Sequence, residues 1–233
     1  MDRILTRQEA SDAVGGDGWR YLLGSLRAQV PAASPADAAA MAARAVAACG
    51  EHADGHLRVD VRADRVVLAL QTLDLGTVTT RDTDLARRIT AAGLATAPGT
   101  PRPVQLVEIA IDALDIPAVR PFWKTILGYA DESQSDGDTT AAIVDPLGEG
   151  PAVWFQRMDA PRPHRNRIHL DICVPHDEAA ARIAAALAAG GRLLSDAAAP
   201  AFWVLADVEG NEACVTTWQG RDGVVSGGVE MRL

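Results

Sequence analysis

Residues 104–128 read VQLVEIAIDALDIPAVRPFWKTILG, and residues 167–191 read RIHLDICVPHDEAAARIAAALAAGG. Each opens with apolar and polar residues alternating at period two, the mark of a half-buried strand, and continues into a stretch of helical composition. In the first copy the strand covers residues 104–111 and the helix 115–127. In the second they cover 167–174 and 176–189. Three further alternating stretches follow each helix, at 129–133, 139–144 and 152–157, then at 192–195, 202–208 and 212–218. The result is a divergent tandem repeat of two βαβββ units.

Working outward, Pro98, Pro101, Pro103 and Gly99 crowd residues 97–103 and exclude a helix or a central strand there. We take this stretch as a linker between a domain over 1–96 and a second over 104–220, with a Gly- and Val-rich tail at 221–233. In the first domain, Thr6-Arg-Gln-Glu9 is a capping-box pattern and Ser34-Pro35-Ala-Asp37 starts a long alanine-rich helix. Two short strands meet around Gly24-Ser25, a hairpin joins 56–61 to 65–73, and a last helix begins at Thr80. The order is α-β-β-α-β-β-α, and the whole chain reads as α+β.

The 233 residues carry a formal net charge of −9 without a block of like charge, which argues against a nucleic-acid partner. No apolar stretch is long enough for a membrane span and no export signal is visible, so a cytoplasmic protein is expected. Cys49, Cys173 and Cys214 form no CxxC pair and read as free thiols.

In the first domain, Glu51, His56, Arg65-Val66 and Val78-Thr-Thr-Arg-Asp82-x-x-Leu85-Ala86 occur in an order that resembles the pterin-4a-carbinolamine dehydratase family, with Trp19 as its early tryptophan. That resemblance implies activity resting on a His-His-Pro triplet and a third histidine after the hairpin. Here the triplet reads Gly55-His56-Leu57 and the third site Thr72-Leu73-Asp74, so one histidine of three is kept. Dehydration requires a proton delivered to a hydroxyl and another taken from nitrogen, work that imidazoles do and Leu73 does not. The reading is a dehydratase fold retained for packing, dimerisation or regulation; the alternative is a pterin site built from Glu51, Asp54 and His56.

In the second domain, Phe122-Trp123-x-x-x-Leu127-Gly128-Tyr129, Val153-Trp154-Phe155-Gln156, Asn166-Arg-Ile-His169-Leu-Asp171 and Asp207-Val-Glu-Gly210-Asn211-Glu212 resemble the glyoxalase/bleomycin-resistance (vicinal oxygen chelate) superfamily. The resemblance implies that the paired units curl their sheets into a cleft holding a small molecule or one divalent metal. Carried over by position, the metal ligands fall on Glu108, Gln156, His169 and Cys214, with Glu212 as a substitute for the last. Glu108 and His169 are the expected catalytic pair. Trp154, Gln156, Trp203, Cys214 and Trp218 are the expected substrate contacts, and Arg157, Arg162 and Arg165 could draw an anion to the cleft mouth. Three functions remain open: a metal-dependent lyase, isomerase or dioxygenase; a non-catalytic binder of aromatic compounds; and a pterin dehydratase. A homodimer is what both resemblances imply.

Overall fold

Side-chain caps fix where the helices of the first domain begin. Thr6 Oγ1 accepts from the Glu9 amide at 3.2 Å while the Glu9 carboxylate accepts from the Thr6 amide at 2.8 Å, which starts α1 (Arg7–Val14). Ser34 caps α2 (Pro35–Cys49), and Thr79 with Asp82 forms the capping box of α3 (Thr80–Ala91). Between them run β1 (Arg20–Leu22), β2 (Ser25–Pro31), β3 (Leu57–Val61) and β4 (Arg65–Leu70). They form one antiparallel sheet in the order β1-β2-β4-β3.

Period-two alternation sends Leu26, Ala28, Val30, Val66, Leu68 and Leu70 to one face of this sheet, where they meet Val14, Ala45, Leu85 and Ile89 of the helices. Each large side chain buried there contributes roughly 1.5–3 kcal/mol. Trp19 is fully buried and donates through Nε1 to Thr90 Oγ1 at 3.2 Å. The element order is the expected one.

The computed structural model describes residues 2–94, 105–132, 138–161 and 168–220. The expected linker at 97–103, the tail at 221–233, and Arg162 and Arg165 fall outside them. Contacts divide the chain into two compact units, Met1–Leu106 and Val107–Leu233.

In the second unit the first repeat comprises β5 (Glu108–Ala113), α4 (Ile116–Leu127), β6 (Ala130–Asp131), β7 (Ile143–Val144) and β8 (Ala152–Arg157). The second comprises β9 (Leu170–Cys173), α5 (Ala179–Ala188), β10 (Arg192–Ser195), β11 (Phe202–Ala206) and β12 (Glu212–Thr216). Each repeat makes a four-stranded sheet in which its first strand runs parallel to its last, β5 beside β8 and β9 beside β12.

Several boundaries are tighter than alternation predicts. The strand expected at 139–144 shrinks to β7, because the Asp138 carboxylate accepts from the Thr140 amide and hydroxyl and turns the chain there. The helix expected from residue 176 begins at Ala179, after a turn in which the Glu178 amide donates to the Pro175 carbonyl at 3.0 Å.

The two repeats share one core, in which Phe122, Trp123, Ile126 and Phe155 of the first meet Ala186, Leu205 and Val215 of the second. Polar contacts lock the same junction. Asp207 is fully buried and accepts from Trp123 Nε1 at 3.0 Å. The Glu209 carboxylate accepts from the Leu114 and Asp115 amides at 2.8 and 2.7 Å, just ahead of α4. Gly191 lies against the Phe122 ring; a Cβ there would stand 2.4 Å from Phe122 Cδ2. Among the described residues no helix is long and apolar enough to cross a membrane.

Candidate functional site

In the second repeat, register decides which side chains meet. Cys214 of β12 lies beside Asp171 of β9, and Thr216 beside Cys173. Leu170, Ile172, Ala213 and Val215 point to the core, so Asp171 and Cys214 share the opposite face. His169, two residues before Asp171, falls on that face too. Its Nδ1 lies 3.1 Å from Asp171 Oδ1 and 3.8 Å from Cys214 Sγ. The side chains of His169 and Asp171 are 28% and 50% exposed and Cys214 is buried, so the group opens to solvent on one side.

Ligand atoms of His169, Asp171 and Cys214 all lie within 4.8 Å of one another. A tetrahedral zinc-type ion with bonds of about 2.3 Å to sulfur and about 2.05 Å to nitrogen or oxygen sets sulfur and nitrogen about 3.6 Å apart, and nitrogen and oxygen about 3.4 Å apart. The observed 3.8 and 3.1 Å bracket those values within a few tenths of an ångström. The donor types, imidazole, carboxylate and thiol, suit a divalent ion of the zinc class, and these two separations are close to those it requires.

The other expected ligands stand elsewhere. Glu108 and Gln156 are on adjacent strands and the same face, but Glu108 pairs with Ala152 and Gln156 with Asp112. Four residues of strand separate their levels, about 13 Å, too far for one ion. Asp112, not Glu108, is the residue beside Gln156, as Asp171 is beside Cys214. Glu212 is buried on the Cys214 face, outside the three-residue group.

Of the tryptophans, Trp154 is 39% exposed on the non-core face of β8, two residues from Gln156. Arg157, at the end of β8, is exposed. Trp203 instead packs against the shared core, because β11 turns Val204 rather than Trp203 toward the Cys214 face. Trp218 lies past the end of β12, stands edge-on to His176 at 5.2 Å between ring centroids, and donates through Nε1 to His176 Nδ1 at 3.2 Å. Asp171 is the member of this group that sequence reasoning missed. The His-x-Asp spacing on a strand was the available signal.

In the first domain His56 is held from below. Its Nδ1–H donates to Asp82 Oδ1 at 2.8 Å, since a carboxylate only accepts. Asp82 is fully buried, and its other oxygen accepts from the Thr79 amide at 2.7 Å and from the Thr72 hydroxyl at 2.8 Å. This network engages Nδ1 of a mostly buried imidazole. Glu51 and Asp54 are exposed, and the partners of His56 are Asp82 and Thr72 instead. Gly50, at φ +60°, ends α2 and starts a short 3-10 turn, in which His52 Nε2 accepts from Arg81 at 2.7 Å. Asp82, Thr72 and Thr79 were missed as a group, although Thr79-x-x-Asp82 is legible as a capping box.

Residues 3–92 match the family described as pterin 4 alpha carbinolamine dehydratase, and residues 108–216 match the glyoxalase-like domain family. Among solved structures, a glyoxalase/bleomycin resistance protein/dioxygenase family enzyme from Burkholderia phytofirmans is 16% identical over 47% of this chain and 95% of its own, with a TM-score of 0.39. A variant of the fosfomycin resistance protein FosX from Listeria monocytogenes, complexed with Mn(II) and a dihydroxypropylphosphonic acid, is 13% identical over 49% of this chain and 90% of its own, with a TM-score of 0.39. A transcriptional coactivator/pterin dehydratase from Brucella melitensis is 25% identical over 39% of this chain and 98% of its own, with a TM-score of 0.35. No curated protein matches the chain.

Proposed function

From a chain that joins a pterin-4a-carbinolamine dehydratase domain to a glyoxalase-like domain, we propose a protein that binds an organic small molecule at a divalent metal on the second repeat of its glyoxalase-like domain. The observation that carries this reading is the convergence of His169, Asp171 and Cys214 on one solvent-facing point. The thiolate favours zinc or another borderline ion over magnesium or manganese. A bound metal supplies Lewis-acid stabilisation to an oxygen of the substrate at the open position. The chain's own part is to hold that position. Cys214 is fixed in the sheet beside Asp171, and Asp171 is held against His169 at 3.1 Å. The reaction class is a lyase, isomerase or dioxygenase step on neighbouring oxygens, carried out in the cytoplasm by a homodimer.

Metal analysis of purified protein by plasma mass spectrometry tests this. About one zinc-type ion per chain is expected, lost in His169→Ala and in Cys214→Ser and kept in Glu108→Ala. Cobalt substitution should give a near-ultraviolet sulfur-to-metal charge-transfer band that Cys214→Ser abolishes. A protein that takes up no metal on reconstitution would overturn the proposal and advance the non-catalytic binder.

A second reading rests on the His56–Asp82 pair. A carboxylate that fixes the tautomer of a mostly buried imidazole is the arrangement of a general base. It expects pterin to quench the fluorescence of the chain and His56→Ala to abolish the quenching, independently of metal.

A further inference from the structure

The helices of the first domain cover one face of its sheet, and the opposite face carries an unbalanced charge. Arg20 lies directly beside Arg27, Arg27 beside Ala69, and Ala69 beside Arg58. One row across all four strands therefore reads Arg-Arg-Ala-Arg. Like charges placed directly opposite each other destabilise a sheet, as Arg20 and Arg27 do here, and Arg58 adds a third cation two strands from Arg27.

Neighbouring arginines show what compensation looks like. Arg62 is paired with Asp60 and Arg65 with Asp64. Among the described residues the three in the row have no carboxylate partner. Arg20 donates to the Gly15 and Trp19 carbonyls, Arg27 Nε donates to Ser25 Oγ at 2.9 Å, and Arg58 makes no hydrogen bond among the described residues. Asp60, the carboxylate nearest to Arg58 along β3, is held by Arg62 through Nε and Nη2.

The row also has a notch. Ala69 is only 6% exposed although it lies outside the helix-side core, and the side chains flanking it in the row are Arg27 and Arg58. Those two sit two strand spacings apart, about 10 Å, with a methyl group between them. Burial and the nearby Arg58 charge both lower the Arg27 pKa, as two guanidinium groups brought toward one another require.

We propose that the Arg27–Ala69–Arg58 notch, extended by Arg20, is a binding site for a phosphate-type dianion carried on a small molecule. Guanidinium groups match the planar, forked geometry of phosphate oxygens, and a dianion between two of them removes their repulsion. The row spans three strand spacings, about 14 Å, room for one or two phosphates. A chain with a net charge of −9 repels a long polyanion before contact, which favours a small ligand over a nucleic acid. The site is independent of the metal and pterin readings.

Calorimetric titration of the full chain with inorganic phosphate and with pyrophosphate tests it. Exposed Arg58 is the principal variant, because Arg27 is partly buried and bonded to Ser25. Pyrophosphate should bind with at least tenfold weaker affinity to Arg58→Gln, with partial recovery in Arg58→Lys, and unchanged affinity in Arg87→Gln on α3. Without phosphate, Arg58→Gln should melt at or above the parent, since a repulsion has gone; a purely structural arginine would lower the melting point. Absence of binding heat, equal affinity in Arg58→Gln, or tighter binding of a short single-stranded DNA than of pyrophosphate would each overturn the proposal.

Discussion

Asp207→Asn isolates the contact that joins the two repeats. Each carboxylate oxygen of Asp207 accepts two bonds: Oδ2 from Trp123 Nε1 at 3.0 Å and Asn211 Nδ2 at 2.8 Å, Oδ1 from the Glu209 and Asn211 amides at 2.9 Å each. An asparagine keeps one acceptor oxygen and turns an NH2 group toward the other two donors. If the oxygen stays with the backbone amides, the Asn211 side chain can flip its own amide, but the buried Trp123 N–H has no acceptor. An unsatisfied buried donor costs about 1–3 kcal/mol, and two bonds that lose a charged acceptor each fall by about 1 kcal/mol. Relief from burying a charge offsets part of this, leaving an expected loss of about 3 kcal/mol. Urea unfolding followed by tryptophan fluorescence reads it directly, and a double-mutant cycle with Trp123→Phe should return a coupling of about 1–2 kcal/mol. A single-variant change below about 0.5 kcal/mol, or zero coupling in the cycle, would refute the claim that this bond holds the repeats together.

Four further outcomes are expected. Asp82→Ala should destabilise the protein by about 2–4 kcal/mol in urea titration, because the Thr79 amide, the Thr72 hydroxyl and His56 lose a common acceptor, whereas Asp82→Asn should keep most of the stability. Gly191→Ala should cost more than about 2 kcal/mol, since its Cβ would stand 2.8 Å from the Ala186 carbonyl as well as 2.4 Å from Phe122, and backbone cannot step aside. Burial pushes the Cys49 thiol up to about 11, so iodoacetamide at about pH 8 should modify exposed Cys173 and spare Cys49 in a peptide mass map. Hydrogen bonds from Lys124 and then Arg120 hold Asp131 below the usual carboxylate range; the stability it adds is present above about pH 4 and lost as the pH falls through its folded value, so Asp131→Asn should flatten that acid limb of the stability profile.

Local chemistry made much of the fold legible before any coordinates. Thr6 with Glu9, Ser34 with Pro35, and the alternation in 104–111 and 167–174 each depend on residues within one turn or one strand, and those elements form in the expected order. Element ends were less legible where a polar side chain competes with the ladder, as Asp138 does before β7. The sites depend on register. His169 and Cys214 are 45 residues apart, and which residue lies beside Cys214 is a property of the β9–β12 pairing. A shift of two residues would have put Cys173 there instead of Asp171. Trp203 was misplaced for the same reason: a one-residue difference in phase along β11 sends it to the core. The arginine row is the extreme case, assembled from three strands and invisible as a charge block.

Phe122 seated on Gly191, and Arg182 Nη1 donating to the Ile126 carbonyl at 2.9 Å, mean that the two repeats no longer behave as separable copies. Cutting the chain between them would expose Phe122, Trp123 and Ile126 on one fragment and Leu205 and Val215 on the other, and neither fragment holds enough apolar surface to close its own core. The three donor atoms of the candidate metal centre come from the second repeat alone, yet the sheet that aims them is backed by side chains of the first. One copy carries the three donor atoms and the other backs their sheet, so substitutions in the first copy are expected to alter the His169–Asp171–Cys214 geometry through the shared interior.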